Sequence, residues 1–109
     1  MKKYKVNFDP GAERDLEDIV DFIAGNDSPE RAIHVASSIQ RRIAALEAFP
    51  NRGVHPKELL EYGNRDFREI YFKPYRIFYR VRDRDVVIVL VTDGRRDMRT
   101  LLTRRLLGA

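Results

Sequence analysis

Tyr4, Val6 and Phe8 alternate with Lys5 and Asn7, the two-residue period of a strand with one buried face, and Asp9-Pro10-Gly11 stops it. From Pro10 the period changes. Ala12, Leu16, Ile19, Val20 and Ile23 fall on one helical stripe, Glu13, Asp15, Glu17, Asp18 and Asp21 cover much of the remainder, and Gly25-Asn26-Asp27 ends the pattern. Asp27 or Ser28 then reads as an N-cap with Pro29 at the first helical position. A second stripe follows through Ala32, Val35, Ala36, Ile39, Ile43 and Leu46 as far as Phe49-Pro50. Two helices joined by so short a turn predict a helical hairpin.

Between Pro50 and Arg65 neither period holds. Pro50, Gly53, Pro56 and Gly63 mark a loop in which Glu58-Leu59-Leu60-Glu61 can form one helical turn. Strand chemistry returns in Phe67 to Phe72, Tyr75 to Arg82 and Val86 to Thr92, with Lys73-Pro74 and Arg82-Asp83-Arg84-Asp85 as the intervening turns. The last of these runs is apolar on both faces, which places it inside the sheet with a covering layer on each side. Leu101, Leu102, Leu106 and Met98 fit a short terminal helix that supplies part of the second layer. The expected architecture is α+β: an N-terminal strand, an antiparallel helical hairpin, a three-stranded antiparallel meander completing one sheet, and a short C-terminal helix.

Composition narrows the chemistry. The 109 residues, 43% hydrophobic and 35% charged, make one domain over residues 1–109. The absence of cysteine removes disulfides, thiolate metal sites and a cysteine nucleophile. His34 and His55 lie in different segments, so no metal site and no cofactor are expected. The basic start meets Asp9 and Pro10 in place of an apolar signal core, and the longest apolar run, Val86 to Val91, is too short to span a bilayer. A cytoplasmic location with no membrane partner is the expectation.

Charge is uneven along the chain. Residues 1–50 hold 7 Lys and Arg against 9 Asp and Glu, whereas residues 51–109 hold 14 against 8, and 12 of those 14 cations are arginine. The planar guanidinium fork suits phosphate and carboxylate, so an anionic partner for the C-terminal half is expected. Arg76, Arg80 and Arg82 alternate along one strand. They form either an anion-binding face or a set of ion pairs with Glu69, Asp83 and Asp85. Tyr75 and Tyr79, in phase with Ile77 and Val81, read as core, while Tyr71 and Phe78 read as rings free to stack on bases. His34 reads as a surface residue and His55 as a loop residue.

Ala12-Glu13-Arg14-Asp15-Leu16 with Ile19-Val20 and Ile23, Leu46-Glu47-Ala48-Phe49-Pro50 followed by Gly53, Phe67-Arg68-Glu69-Ile70, Pro74-Tyr75-Arg76-Ile77-Phe78-Tyr79-Arg80-Val81, and Val91-Thr92-Asp93-Gly94-Arg95-Arg96-Asp97 occur in an order and spacing that resembles the RelE/ParE superfamily of bacterial toxins. The resemblance covers nearly the whole chain. It implies the toxin half of a type II toxin–antitoxin system of the plasmid-stabilisation kind, bound by a cognate antitoxin in a hetero-oligomer. RelE-like members are metal-independent, ribosome-dependent endoribonucleases that cut messenger RNA, and ParE-like members poison DNA gyrase. By that resemblance Arg68, Arg76 and Arg96 are the candidate catalytic residues if the chain is a nuclease, and Arg76, Arg95, Arg96 and Arg99 the candidate target-binding residues.

Two positions depart from the RelE-like pattern. A second basic residue on the strand before Arg76 is replaced by Ile70, and a tyrosine near the chain end is replaced by Leu102. In-line attack by a 2′-hydroxyl needs a base, an acid and positive charge over phosphorus. Arginine supplies only the last at neutral pH. The reading therefore leans towards a gyrase poison, with the messenger endoribonuclease as the alternative and His55, Glu58, Glu61 or Asp66 as loop residues that a nuclease would recruit. A non-catalytic basic nucleic-acid-binding module is a third reading, without a glycine-rich RNA-binding loop, ribonucleoprotein signature or helix-turn-helix to support it.

Overall fold

In the computed structural model, which describes residues 3–108, the first strand β1 spans Lys5–Phe8 and leads into helix α1, Pro10–Asn26. Met1, Lys2 and Ala109, the ends of the expected domain, lie outside the described residues. Asp9 Oδ1 accepts the Ala12 N–H at 2.9 Å, and Pro10 takes a first-turn position where no amide hydrogen is needed. The same device recurs at α2, Pro29–Ala44, where Ser28 Oγ accepts the Arg31 N–H at 3.0 Å and Pro29 follows. Helix α2 runs on as a 3-10 turn, Ala45–Glu47, that buries Leu46. In the connecting loop, α3 is the single helical turn Lys57–Leu60.

Strands β2 (Arg68–Phe72), β3 (Tyr75–Arg82) and β4 (Asp85–Asp93) form an antiparallel meander, and α4, Met98–Leu106, follows. The sheet order is β1-β4-β3-β2, with β1 parallel to β4. The doubly apolar strand β4 is therefore internal, as its sequence requires. Opposite Phe78 and Tyr79 the ladder skips Val89, so Phe78 pairs with Leu90 and Tyr79 with Ile88. This bulge turns both Val89 and Leu90 to the same side.

Each face of the sheet has its own core. Ile77, Tyr79, Val86, Ile88 and Val91 meet Ala12 and Ile23 of α1 and Ala32, Val35, Ile39 and Ile43 of α2. Phe78, Val89 and Leu90 meet Met98, Leu101 and Leu102 of α4 together with Leu59 and Phe67. Burying one such large aliphatic side chain contributes about 1.5–3 kcal/mol. Tyr79, wholly buried, donates its hydroxyl hydrogen to the Pro50 carbonyl at 2.8 Å and accepts the Gly53 N–H at 2.9 Å. The loop after α2 is thus pinned to the middle of the sheet. A Cβ at Gly53 would lie 2.6 Å from that hydroxyl and 2.8 Å from the Glu69 carbonyl, which is why the smallest residue stands there.

Candidate functional site

The two-residue turn after β2 sets Phe72 opposite Tyr75, and hence Tyr71 opposite Arg76 and Glu69 opposite Phe78. Paired residues share a face. Glu69, Tyr71, Arg76 and Phe78 therefore project to the α4 side of the sheet, and α3 brings Glu58 to the same place. Arg76 makes four hydrogen bonds there: Nε and Nη2 donate to the two Glu69 oxygens at 2.7 and 2.9 Å, and Nη1 and Nη2 donate to the two Glu58 oxygens at 2.9 Å each. Its guanidinium carbon lies 4.9 Å from the centre of the buried Phe78 ring.

Only 12% of the Arg76 side chain is exposed, and only 2% of that of Glu69. Burial works against the Arg76 charge, but the hydrogen bonds it donates to Glu58 and Glu69 outweigh it and raise its pKa. The Glu58 carboxyl is held below its ordinary value, chiefly by the hydrogen bonds from Arg76. Two carboxylates around one guanidinium leave the cluster with a formal charge of −1. Gly94 completes the fit, since a Cβ there would come within 2.8 Å of Arg76 Cδ.

Beside this cluster is a shallow cleft of about 350 Å³ lined by Val54, His55, Lys57, Glu69, Tyr71 and Arg76. His55 Nδ1 lies 3.0 Å from the Phe67 carbonyl, an acceptor only, so Nδ1 donates in this contact. Burial pushes the Tyr71 phenol up, and the Glu69 charge adds to the effect. No group of three or more His, Asp or Glu among the described residues is placed to hold a metal ion. No described helix is long and apolar enough to cross a membrane.

The other candidate residues lie elsewhere. Arg68 is on the opposite face of β2 from Arg76, where Nη1 donates to the carbonyls of Gly53 at 2.7 Å and Asn51 at 3.2 Å and fastens the loop. Ile70, on that same face, packs against the helical-hairpin core. Strand parity thus puts Glu69 and Tyr71 on the face of Arg76, and Arg68 and Ile70 on the other. Leu102 is 1% exposed in the second core. Arg95 is exposed and paired with Asp93, with Nε–Oδ1 at 2.9 Å and Nη2–Oδ2 at 2.6 Å. Arg95 and Arg96 line a separate cleft of about 550 Å³ against α1, with Ile19, Phe22 and Tyr75. Arg99 clasps Glu61, with Nη2–Oε1 at 2.8 Å.

Phe78 is fully buried and presents no ring to a base, whereas Tyr71 is exposed. The ion pairing of Arg76 with Glu69 is present, and Arg105 of α4 reaches Asp15 of α1. Glu69, read from sequence as an ion-pair partner, and Tyr71, read as a stacking ring, share one face with Arg76. The register dictated by Lys73-Pro74 was the available signal.

Comparison with known proteins agrees with the topology. The chromosomal ParDE TA system from P. aeruginosa superimposes with a TM-score of 0.70 at 20% identity, covering 83% of this chain and 95% of that one. The toxin–antitoxin complex RelBE2 from Mycobacterium tuberculosis superimposes with a TM-score of 0.59 at 26% identity, covering 85% and 93%. No curated protein sequence matches the chain significantly. Residues 6–98, from β1 to the first residue of α4, match the family described as ParE toxin of type II toxin-antitoxin system, parDE. That span includes the helical hairpin, the whole meander and the Arg76 cluster, and with it the chain belongs to the ParE toxin family of type II toxin–antitoxin systems.

Proposed function

We propose that this toxin acts by poisoning DNA gyrase, without ribonuclease chemistry, and is held inactive in the cytoplasm by a cognate antitoxin in a hetero-oligomer. The observation that carries the reading is the state of Arg76. A cation that stabilises a pentacoordinate phosphate must have unsatisfied donors and a positive local field. Arg76 spends four hydrogen bonds on Glu58 and Glu69, and the net charge of the cluster repels a phosphodiester. Leu102, where RelE-like nucleases carry a tyrosine, is committed to the core.

The second reading, messenger cleavage, draws support from the cleft that His55 and Tyr71 line together with Arg76. One experiment separates the two. Purified toxin is added to gyrase with supercoiled plasmid and, in parallel, to ribosomes programmed with messenger. Trapped double-strand breaks with intact messenger support the proposal, and codon-dependent messenger cleavage without trapped breaks overturns it.

An antitoxin partner is supported by exposed apolar side chains a free monomer has no use for, Phe22 and Ile33 on the helical hairpin and Phe49, Val54 and Tyr62 on the loop. Both solved structures named above are of toxin–antitoxin systems. Co-expression with the small protein encoded beside it is expected to yield a soluble complex of the two chains. A freely expressed, well-tolerated monomer that binds no such protein would remove this partner.

A further inference from the structure

The two helices of the hairpin carry opposite charge. Helix α1 has five acidic residues and one arginine, whereas α2 has Arg31, Arg41 and Arg42 against Glu30, with His34 on the same stripe. The fold lays this stripe along the tip of the β2–β3 hairpin. His34 meets the Phe72 ring edge-on at 6.2 Å, and Arg42 reaches over the same ring at 5.8 Å while donating to the Tyr71 carbonyl at 2.9 Å. Lys73 stands next in the turn. Arg31 and Arg95 both lie close enough to Tyr75 to oppose the burial-driven rise of its phenol pKa. Each of these cations is exposed. The negative balance of residues 1–50 hides this, because the acidic α1 offsets α2 in any sum along the chain.

From this juxtaposition of Arg31, His34, Arg42 and Lys73 we infer that the toxin has a surface for the phosphodiester backbone of nucleic acid. Exposed guanidinium forks and an ammonium set side by side neutralise successive phosphates and release their counterions. Phe72 and Tyr75 are half-buried beneath the cations and offer no open face for stacking, so the surface reads charge without base identity. An acidic protein is the poorer occupant. Ile33, the exposed apolar residue of this part of α2, is turned about 100° round the helix from His34, so the surface has charge without an apolar anchor. The inference is independent of the choice between gyrase and ribosome, since either target presents a nucleic-acid backbone.

The test is fluorescence anisotropy of the full chain with a 20-base-pair duplex DNA and, in a separate arm, a 20-nucleotide single-stranded RNA, titrated from about 50 to 200 mM salt. Binding to either supports the surface, and the preferred arm names its source. The variant Arg31→Gln/Arg42→Gln/Lys73→Gln is expected to bind at least about 10-fold more weakly and to lose about two to three units of the log–log salt slope, at about 0.9 for each phosphate no longer neutralised. A control, Arg52→Gln/Arg65→Gln/Arg82→Gln, removes the same charge from exposed sites elsewhere and is expected to bind as wild type. Thermal melts confirm that both variants are folded. Equal weakening in the two variants, absence of wild-type binding at 50 mM salt, or binding to polyglutamate in place of either nucleic acid would overturn the inference.

Discussion

Asp15 of α1 and Arg105 of α4 meet beyond the end of β1 and there take over the work of a neighbouring strand. β1 stops at Phe8, whose partner on β4 is Ile88, so beyond it β4 has no strand on that side. Asp15 Oδ2 accepts the Val91 N–H at 3.1 Å, and Arg105 binds both Asp15 oxygens at 2.9 Å while Nη2 donates to the Val89 carbonyl at 3.3 Å. The hydrogen bonds that Arg105 donates to Asp15 raise its pKa. One ion pair thus closes the edge of β4 that β1 leaves open and ties the two layers on opposite faces of the sheet together.

Asp15→Ala removes the acceptor from Val91 and leaves Arg105 without its counter-charge, so it is expected to destabilise the fold by about 2–3 kcal/mol. Asp15→Asn, which keeps a carbonyl oxygen for Val91, should cost about half as much. Urea unfolding followed by far-UV circular dichroism measures both. Equal stability of all three chains would show that solvent satisfies the strand edge unaided.

Arg76→Ala is expected to cost about 2–4 kcal/mol, because it leaves the almost fully buried Glu69 carboxylate unpaired. Adding Glu69→Gln in the same chain should recover part of the loss. The pair of variants matters for function as well. A loss of toxicity in Arg76→Ala that is repaired together with stability in the double variant belongs to folding, whereas a loss that persists belongs to target contact.

The same cluster sets an acid limit. Glu58 has its folded-state pKa below the ordinary 4.5, so its interaction with Arg76 contributes fully above that value and is lost as pH falls through the depressed one. Stability should therefore decline from about pH 4.5 downward, and Glu58→Gln should flatten that part of the curve while lowering the plateau at neutral pH. An unchanged acid limb in the variant would assign the titration to other carboxylates.

Much of this architecture could be read from residue order alone. The caps at Asp9 and Ser28, the prolines after them, and the doubly apolar Val86 to Val91 run dictated the helical hairpin and the internal strand. The site was less legible because strand parity decides which side chains meet, and a resemblance between aligned segments carries no parity. Arg68 and Arg76, eight positions apart, both belong to the set of candidate arginines, yet the register sets them on opposite faces. Nor does composition reveal that Glu58, from a loop turn 18 residues earlier, closes over Arg76. Long-range charge neutralisation of that kind depends on loop placement, which local periodicity does not encode.

The last prediction concerns residues whose removal should spare the fold. Arg96 is exposed, and its side chain makes no hydrogen bond or ion pair among the described residues; Arg95 holds only its turn neighbour Asp93. If these two arginines contact the target from the cleft they share with Ile19 and Phe22 of α1, Arg95→Ala/Arg96→Ala should unfold at the wild-type temperature and still lose growth inhibition. Leu102→Tyr provides the contrast. Enlarging a side chain that is 1% exposed is expected to cost about 1–3 kcal/mol through overpacking against Phe78 and Leu90, and to confer no messenger cleavage, because the added phenol has no path out of the core. Growth assays after induction, read beside thermal melts of the same proteins, test both. Full toxicity of a stably folded Arg95→Ala/Arg96→Ala chain would return the two arginines to ordinary solvated surface.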